Sequence, residues 1–341
     1  MRRAVITAPK TIELQETNIP EIRPDEVLVK VKAVGLCTFE QRYYKGVQRA
    51  YPFIGGHEIC GVVEKVGTNV AQKLDVGDQV VVASLTRCGE CYYCRRGLDH
   101  LCSNADQKTK SGEMWGPGGL SEFMVAKGYE VYKVSNELNP AEATVAEPLA
   151  CVIRSVEKGN IHLGDTVVVI GAGIMGLLHV KLAKLKGAKV IVSEPDGARR
   201  QNALETGADV VVDPINENLK EVVKSLTEGR GAHVVFFTAG GTPAIEQGIS
   251  LLIKGGTIVL YGSIHPVQPI SINPNDVHYD EIIVTGVVRH TKESFRKSAL
   301  LLSQGLVQVQ DLISECIPFE DINHAFERAI SKDTYRVAVM F

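Results

Sequence analysis

The chain has 341 residues, 45% hydrophobic and 23% charged, which is the composition of a folded globular protein and long enough for two domains. A formal net charge of −3 gives no electrostatic reason to bind nucleic acid or an anionic membrane. The longest apolar run, Val167 to Val180, holds three glycines and a histidine and is too short to span a bilayer, so a cytoplasmic protein is expected, whose clustered cysteines bind metal rather than pair as disulfides.

From residue 1 to about 134 the chain reads as strands and turns. "PDEVLVKVKAVG" alternates apolar and polar residues, and "CGVVEKVGTNV" and "VGDQVVVAS" continue the pattern between glycines. "RCGECYYCRRGLDHLC" then packs Cys88, Cys91, Cys94 and Cys102 into sixteen residues, spaced Cys-x2-Cys-x2-Cys-x7-Cys. Four thiolates at this spacing suit tetrahedral zinc. A ferredoxin-type cluster needs a last gap of three residues followed by proline, and neither is present. Four sulfur ligands also close the coordination shell, so this metal is expected to hold a loop together rather than to react.

Around Pro140 the texture changes. "NPAEATVAEPLACVIRSVEKG" carries helical spacing, and one helix is predicted from Asn139 or Pro140 to Gly159. From Asp165 to about Val288, the apolar runs "TVVVIG", "KVIVSE", "ADVVVD", "AHVVFFTA", "GGTIVLYG" and "EIIVTGVV" alternate with helical segments. That rhythm means βαβ units around a parallel sheet. The tail adds helices in "KESFRKSALLLSQG" and "FEDINHAFERAISK" and a final strand in "YRVAVMF".

"VVVIGAGIMG" sets Gly171, Gly173 and Gly176 between the first of these strands and a helix opening at Ile174 and Met175. In this context Gly171 makes the turn, Gly173 lets the backbone approach a pyrophosphate, and Gly176 lets helix and strand pack closely. The second strand ends at Glu194, eighteen residues beyond Gly176. A carboxylate there hydrogen-bonds the adenosine ribose and repels a 2′-phosphate, which favours NAD over NADP, although Arg199 and Arg200 nearby soften the preference.

One further constellation carries a resemblance. "GGHEICGVVEKVGTNV" holds His57 and Glu58, followed by Gly61, Gly67 and Val70, and "VGLCTFEQRYYKG" places Cys37 twenty residues upstream. With the four-cysteine lobe, "EPLAC" at Glu147–Cys151 and the glycine fingerprint in the same order, the whole chain resembles the zinc-containing medium-chain alcohol dehydrogenases, most of all their polyol (sorbitol-type) and threonine dehydrogenase branch. The resemblance implies an α/β protein with two parts. One is a GroES-like β-rich catalytic domain over 1–149 and 290–341, and the other a Rossmann doubly wound parallel-sheet domain over 150–289. It implies two zinc ions per subunit, one structural and one catalytic. Cys37 and His57 would be the firmest catalytic ligands, with Glu58 and Glu147 sharing the direct and indirect places, and Arg289 of "TGVVRH" near Glu147 and the substrate. One thiolate, one imidazole and a carboxylate leave a zinc position open for an alcohol oxygen, so that an alkoxide can form near neutral pH and hydride can pass to nicotinamide. The implied substrate is a small polyol or sugar derivative, and the implied assembly a homo-oligomer, with a tetramer ahead of a dimer.

The sequence departs from that family at one place. The family keeps Ser or Thr two positions after the catalytic cysteine to start a proton relay; here Phe39 stands there. Thr38 replaces the usual glycine, Glu40 the usual aspartate, and Arg42 the relay histidine of several relatives. The proton is therefore expected to leave through water and Glu147 or Glu58, or through a shifted Thr38. An L-threonine 3-dehydrogenase or 2,3-butanediol type of enzyme is the nearest rival, and a non-catalytic zinc- and dinucleotide-binding protein is the reading from another class. Cys60, Cys151 and Cys316 read as small apolar residues, and Trp115, Tyr43 and Tyr44 equally well as pocket wall or as packing.

Overall fold

Strands from the first 133 residues and from the last 29 form a seven-stranded sheet in a computed structural model that describes residues 1–105 and 114–341. The described residues form two units, Met1–Ala150 with His290–Phe341, and Cys151–Arg289. In the first, Glu26–Gly35 pairs antiparallel with Glu58–Val66, with Phe123–Lys127 and with the late strand Arg336–Met340. Gln79–Ala83 and Val131–Lys133 extend the sheet beyond Glu58–Val66, and Ile313–Pro318 adds parallel to Arg336–Met340. Ile313–Pro318 is a strand that the patterning did not announce. The fully buried Leu36, Phe53, Ile59, Leu120, Phe319 and Phe326 form the centre of this unit, so residues from both ends of the chain share one core.

The six apolar runs of the second unit are the six strands of an all-parallel sheet. Their order across the sheet is Val210–Val212, Lys189–Ser193, Thr166–Ile170, Ala232–Phe237, Leu252–Leu260, Ile283–Gly286. Thr166–Ile170 is buried along its whole length, as a strand covered on both faces must be. The chain reverses direction across the sheet beside this first strand, which is where a doubly wound fold opens a crevice at its carboxyl edge. This unit has a Rossmann fold and the first is GroES-like.

The single helix expected over Asn139–Gly159 is two, Pro140–Ala143 and Ala146–Gly159. Pro148 explains the break. Its ring would strike the carbonyl of the residue four places back, Thr144, if the helix ran on, so Pro148 is confined to a first turn and the helix restarts at Ala146. Asn139 caps the short helix through Ala141 N, and the Thr144 hydroxyl donates to the Ala141 carbonyl at 2.6 Å. No helix of the described residues is long and apolar enough to cross a membrane.

One buried titratable group in the second unit bears on stability. His179 in the helix Ile174–Leu185 is fully enclosed, donating from Nδ1 to the Met175 carbonyl and accepting at Nε2 from the Ser155 hydroxyl, both at 2.7 Å. Burial pushes its pKa from 6.5 down to about 4. The unfolded chain therefore takes up a proton between those values that the native chain refuses, so native stability falls as pH drops from 6.5 towards 4 and is unaffected above it. The loss amounts to roughly 3 kcal/mol at the acid end. Urea unfolding of His179→Gln at pH 5 and pH 7 should show a smaller difference between the two midpoints than the parent chain; equal differences would remove His179 from the acid response.

Candidate active site and nucleotide-binding turn

Cys37 follows the strand Glu26–Gly35 and occupies the N-cap position of the helix Thr38–Tyr44. His57 ends a loop of two glycines, and both glycines are required. A Cβ on Gly55 would lie 2.6 Å from Glu40 Cγ, and Gly56, at φ +91°, would drive one to 2.5 Å from the Leu120 amide nitrogen. That close approach lets one Glu40 oxygen accept from His57 Nδ1 at 2.7 Å and from Gly56 N at 3.0 Å. With Nδ1–H given to a carboxylate, the lone pair of His57 is on Nε2, the atom a metal would need.

Behind His57 lies a buried ion pair that no local pattern announces. Glu58 opens the strand Glu58–Val66, and its Oε1 meets Arg336 Nη2 at 2.8 Å. Arg336 Nη1 donates to the Leu36 carbonyl at 2.7 Å, next to Cys37. Gly35 must be glycine here too, since a Cβ would come within 2.4 Å of Glu58 Oε2. Glu147 stands in the first turn of Ala146–Gly159, whose start is fastened by the Ser298 hydroxyl donating to the Ala146 carbonyl at 2.7 Å.

These groups converge. Ligand atoms of Cys37, Glu40 and His57 lie within 4.8 Å of one another, as do those of His57, Glu58 and Glu147. Their electrostatics are those of an acidic, enclosed cluster. Burial and the Glu58 charge push the Cys37 thiol up, against the pull of His57. Burial opposes protonation of His57, yet Glu40 and then Cys37 outweigh it and hold its pKa well above the ordinary value. Burial would raise Glu40 as well, but the His57 charge and hydrogen bond and the Gly56 amide bring it below the carboxylate range. Glu58 is pushed up to about 7 by burial that Arg336 only partly offsets. Its Oε2 is sealed from solvent and has no hydrogen-bond partner among the described residues. A thiol, an imidazole whose Nε2 is directed away from Glu40, and carboxylates in one largely enclosed cluster are a donor set that suits a divalent cation such as zinc, which would displace the Nε2 proton.

Phe39 is edge-on to the His57 ring at 5.6 Å, packed also on Tyr43 and Phe53, so the family's relay position is apolar here. Thr38 is exposed at the start of its helix. Tyr43 and Tyr44 are core residues, stacked on Phe53 and packed on Phe326, and Trp115 donates to the Tyr43 hydroxyl at 2.9 Å. Cys60 is buried and Cys316 exposed. Arg289 is half-buried in the second unit at φ +58°, its carbonyl accepting from Arg154 Nη1 at 2.9 Å. The basic group that the first unit itself sets beside Glu147 is His290, at 3.8 Å.

In the lobe, ligand atoms of Cys88, Cys91, Cys94 and Cys102 lie within 4.8 Å of one another. The Sγ separations of 3.6 Å for Cys88–Cys102 and 3.9 Å for Cys91–Cys102 match the edge, about 3.8 Å, of a sulfur tetrahedron around zinc. The amides of Cys94 and Ser103 hold the Cys91 thiol down to about 6, whereas desolvation and the neighbouring thiols push Cys94 up to about 12. Four such sulfurs ionise together only around a cation.

In the second unit Gly171 turns at φ +100°, and a Cβ on Gly176 would sit 1.9 Å from the Gly171 carbonyl oxygen. Gly173 occupies the N-cap position of Ile174–Leu185, with Ile174 and Met175 half-buried in its first turn and no acidic residue there. The nearest atom to a Gly173 Cβ is Arg199 Nη1 at 3.6 Å, which puts a guanidinium over the turn. Glu194 accepts from Ala172 N at 2.8 Å and from Asp196 N at 3.0 Å, tying the second strand's end to the glycine loop. Arg200 is committed to the Glu194 and Pro195 carbonyls and to Asp213.

Comparison with known proteins agrees with this geometry. Residues 23–136 match the family model described as the alcohol dehydrogenase GroES-like domain, and residues 175–304 that of zinc-binding dehydrogenases. The chain is 34% identical to an L-threonine 3-dehydrogenase of Pyrococcus abyssi, over 96% of this chain and 94% of the relative. It is 28% identical to a sorbitol dehydrogenase of Bacillus subtilis, over 97% and 94%. A solved structure described as a zinc-binding dehydrogenase of Sinorhizobium meliloti 1021, bound to NADP, superposes with TM-score 0.90 at 28% identity, covering 100% of this chain and 99% of that one. The chain therefore belongs to the zinc-containing medium-chain alcohol dehydrogenases, in their polyol and threonine dehydrogenase branch, and is an oxidoreductase.

Of the site residues the sequence suggested, Cys37, His57, Glu58 and Glu147 come together in one unit, as do the four lobe cysteines, and Gly171, Gly173, Gly176, Glu194 and Arg199 gather in the other. Sequence reasoning passed over the parts of Arg336, His290 and Glu40. Only Glu40 had a signal, three residues after Cys37 in place of the family's aspartate. The tight Gly176 contact yields a direct test. Gly176→Ala should cost about 2–3 kcal/mol of stability and weaken dinucleotide binding at least tenfold. Thermal unfolding and fluorescence titration with the reduced dinucleotide would measure both, and unchanged values would mean that the contact relaxes freely.

Proposed function

We propose that this protein oxidises a secondary hydroxyl of a polyol or sugar derivative to a ketone with NAD as hydride acceptor. The observation that carries the reading is the clustering of Cys37, His57, Glu58 and Glu147, with His57 oriented by Glu40. Cys37 and His57 would hold one zinc, with Glu147 facing it through water and Glu58 standing behind them on Arg336, and the four lobe cysteines would hold a second, structural one. When bound, the catalytic zinc supplies a Lewis acid at the substrate oxygen and NAD supplies the acceptor for the hydride that leaves the carbinol carbon.

The chain's own residues do the rest. Glu40 fixes the His57 tautomer and carries negative charge behind it. Arg336 keeps Glu58 in place and ties it to the Leu36 carbonyl beside Cys37. Phe39 covers one side of His57 with hydrocarbon and offers no hydroxyl, so Glu147 is the group assigned to take the substrate's hydroxyl proton. Glu194, at the end of the second strand, supports NAD. The guanidinium of Arg199 over the glycine turn, together with the NADP-bound relative, gives NADP the second place.

The 34% identity to a threonine dehydrogenase, against 28% to a sorbitol dehydrogenase, favours L-threonine as the second reading. Reduction of NAD and NADP by the zinc-loaded protein across sorbitol, xylitol, galactitol, inositol, their phosphates, 2,3-butanediol and L-threonine separates the two. Turnover with a polyol that is lost on chelation supports the first reading, and turnover with threonine alone replaces it with the second. Silence across the panel with both zincs bound would leave a binding protein. The proton's path has its own test. Glu147→Gln should lower kcat by roughly 10²- to 10⁴-fold, whereas Thr38→Ala should stay within about twofold. Loss of turnover in Thr38→Ala at full metal content would reassign the proton to that hydroxyl.

A further inference from the structure

A buried polar chain joins the four-cysteine lobe to Glu147. Arg87 immediately precedes Cys88 and is only 5% exposed. Its Nε pairs with Asp99 Oδ2 at 2.5 Å, and Asp99 lies between Cys94 and Cys102. Arg87 Nη1 donates to the Leu85 carbonyl at 2.8 Å. Nη2 donates to the His290 carbonyl at 2.9 Å and reaches His290 Nδ1 at 3.2 Å. The Arg87 guanidinium is thus held on three sides, with its second Nη2 donor pointed at one imidazole nitrogen.

That contact decides the state of His290. A guanidinium has donors and no acceptor, so Nδ1 must contribute its lone pair and the ring proton is on Nε2. The ring is 3% exposed and tilted against Phe295 at 4.9 Å, just ahead of Thr291, which caps the helix Lys292–Ser303 in a reciprocal pair with Ser294. Packing, cap and cation hold the ring in place, and Glu147 Oε1 lies 3.8 Å from its Nε2. A shift of about 1 Å brings the two to hydrogen-bond distance.

We propose that Arg87 and His290 are positioning residues for Glu147. Arg87 holds His290 as the Nε2–H tautomer, and His290 presents that proton to the carboxylate, so that the fold of the four-cysteine lobe sets where Glu147 stands. This rests on the reading of Glu147 as part of the reacting site. Partners of this kind behind a carboxylate at a metal site are typically worth 10- to 100-fold in metal retention or turnover.

Two variants of one residue separate the two ring nitrogens. His290→Asn keeps an acceptor near Nδ1 for Arg87 and loses the donor towards Glu147, whereas His290→Gln carries an amide donor out to the place of Nε2. In the zinc-loaded full chain, His290→Asn should speed chelator-driven loss of the more labile zinc about tenfold and lower kcat by a similar factor with KM nearly unchanged. His290→Gln should recover most of both, with thermal midpoints of the two variants alike. In the parent chain, ¹⁵N shifts of His290 should report the Nε2–H tautomer, and Arg87→Lys should blur that assignment. Zinc release and kcat at parental values in both variants, or losses that simply follow a lowered thermal midpoint, would overturn the proposal. Zinc release is read without substrate. A parent chain silent on every alcohol but showing the Asn and Gln contrast would overturn the proposed reaction and leave the positioning intact.

Discussion

The first unit is organised around one buried cation. Arg336, 2% exposed, binds Glu58 with one nitrogen and the Leu36 carbonyl with another, and so joins three strands at the points where they present Cys37, His57 and Glu58. Withdrawing a guanidinium and a carboxylate from water costs several kcal/mol for each ion, and their attraction returns it only when the geometry is held. Removing one partner would strand the other, at about 3–5 kcal/mol. The pair is thus poor as a source of stability and effective as a register mark, because the sheet closes correctly only where these two charges meet.

Around that cation the two cysteine sites follow opposite logic. In the lobe, neighbouring amides draw the Cys91 thiol towards ionisation in an environment close to water. At Cys37 burial and a neighbouring carboxylate resist it. A cation in the lobe would complete a shell of like ligands and fix a loop, whereas one at Cys37 would offset the burial of unlike groups and keep its demand for a further donor. On the proposed function, sulfur chemistry common to both sites would give structure in one place and reactivity in the other, with burial and mixed ligands making the difference.

Much of this was legible in the sequence because the relevant physics is local. Glycines that must turn at positive φ or let carboxylates pass, cysteines three positions apart, and apolar runs buried on both faces leave marks within a few positions. The helix break at Thr144 and Val145 was legible in principle, since Pro148 forbids a helix through Thr144, but the apolar spacing on both sides read as continuous. Arg336 was not legible. Nothing near it in the chain differs from an ordinary solvated arginine, and its partners are some 300 residues away. His290 was hidden in the same way, in a segment where the resemblance drew notice to Arg289.

The strand Arg336–Met340 pairs with Glu26–Gly35, so the first unit is built from the two ends of the chain. Synthesis runs from one end to the other, and Cys37 and His57 leave the ribosome long before the arginine that organises them. Until Arg336 follows, Glu58 has no counter-ion and the edge of Glu26–Gly35 near Cys37 has no partner. The second unit, contiguous from Cys151 to Arg289, has all its strands by then. The nucleotide fold can therefore close on the nascent chain before Arg336 organises Cys37, His57 and Glu58, which gives the maturing protein an order of assembly: nucleotide fold first, the charge-paired cluster last.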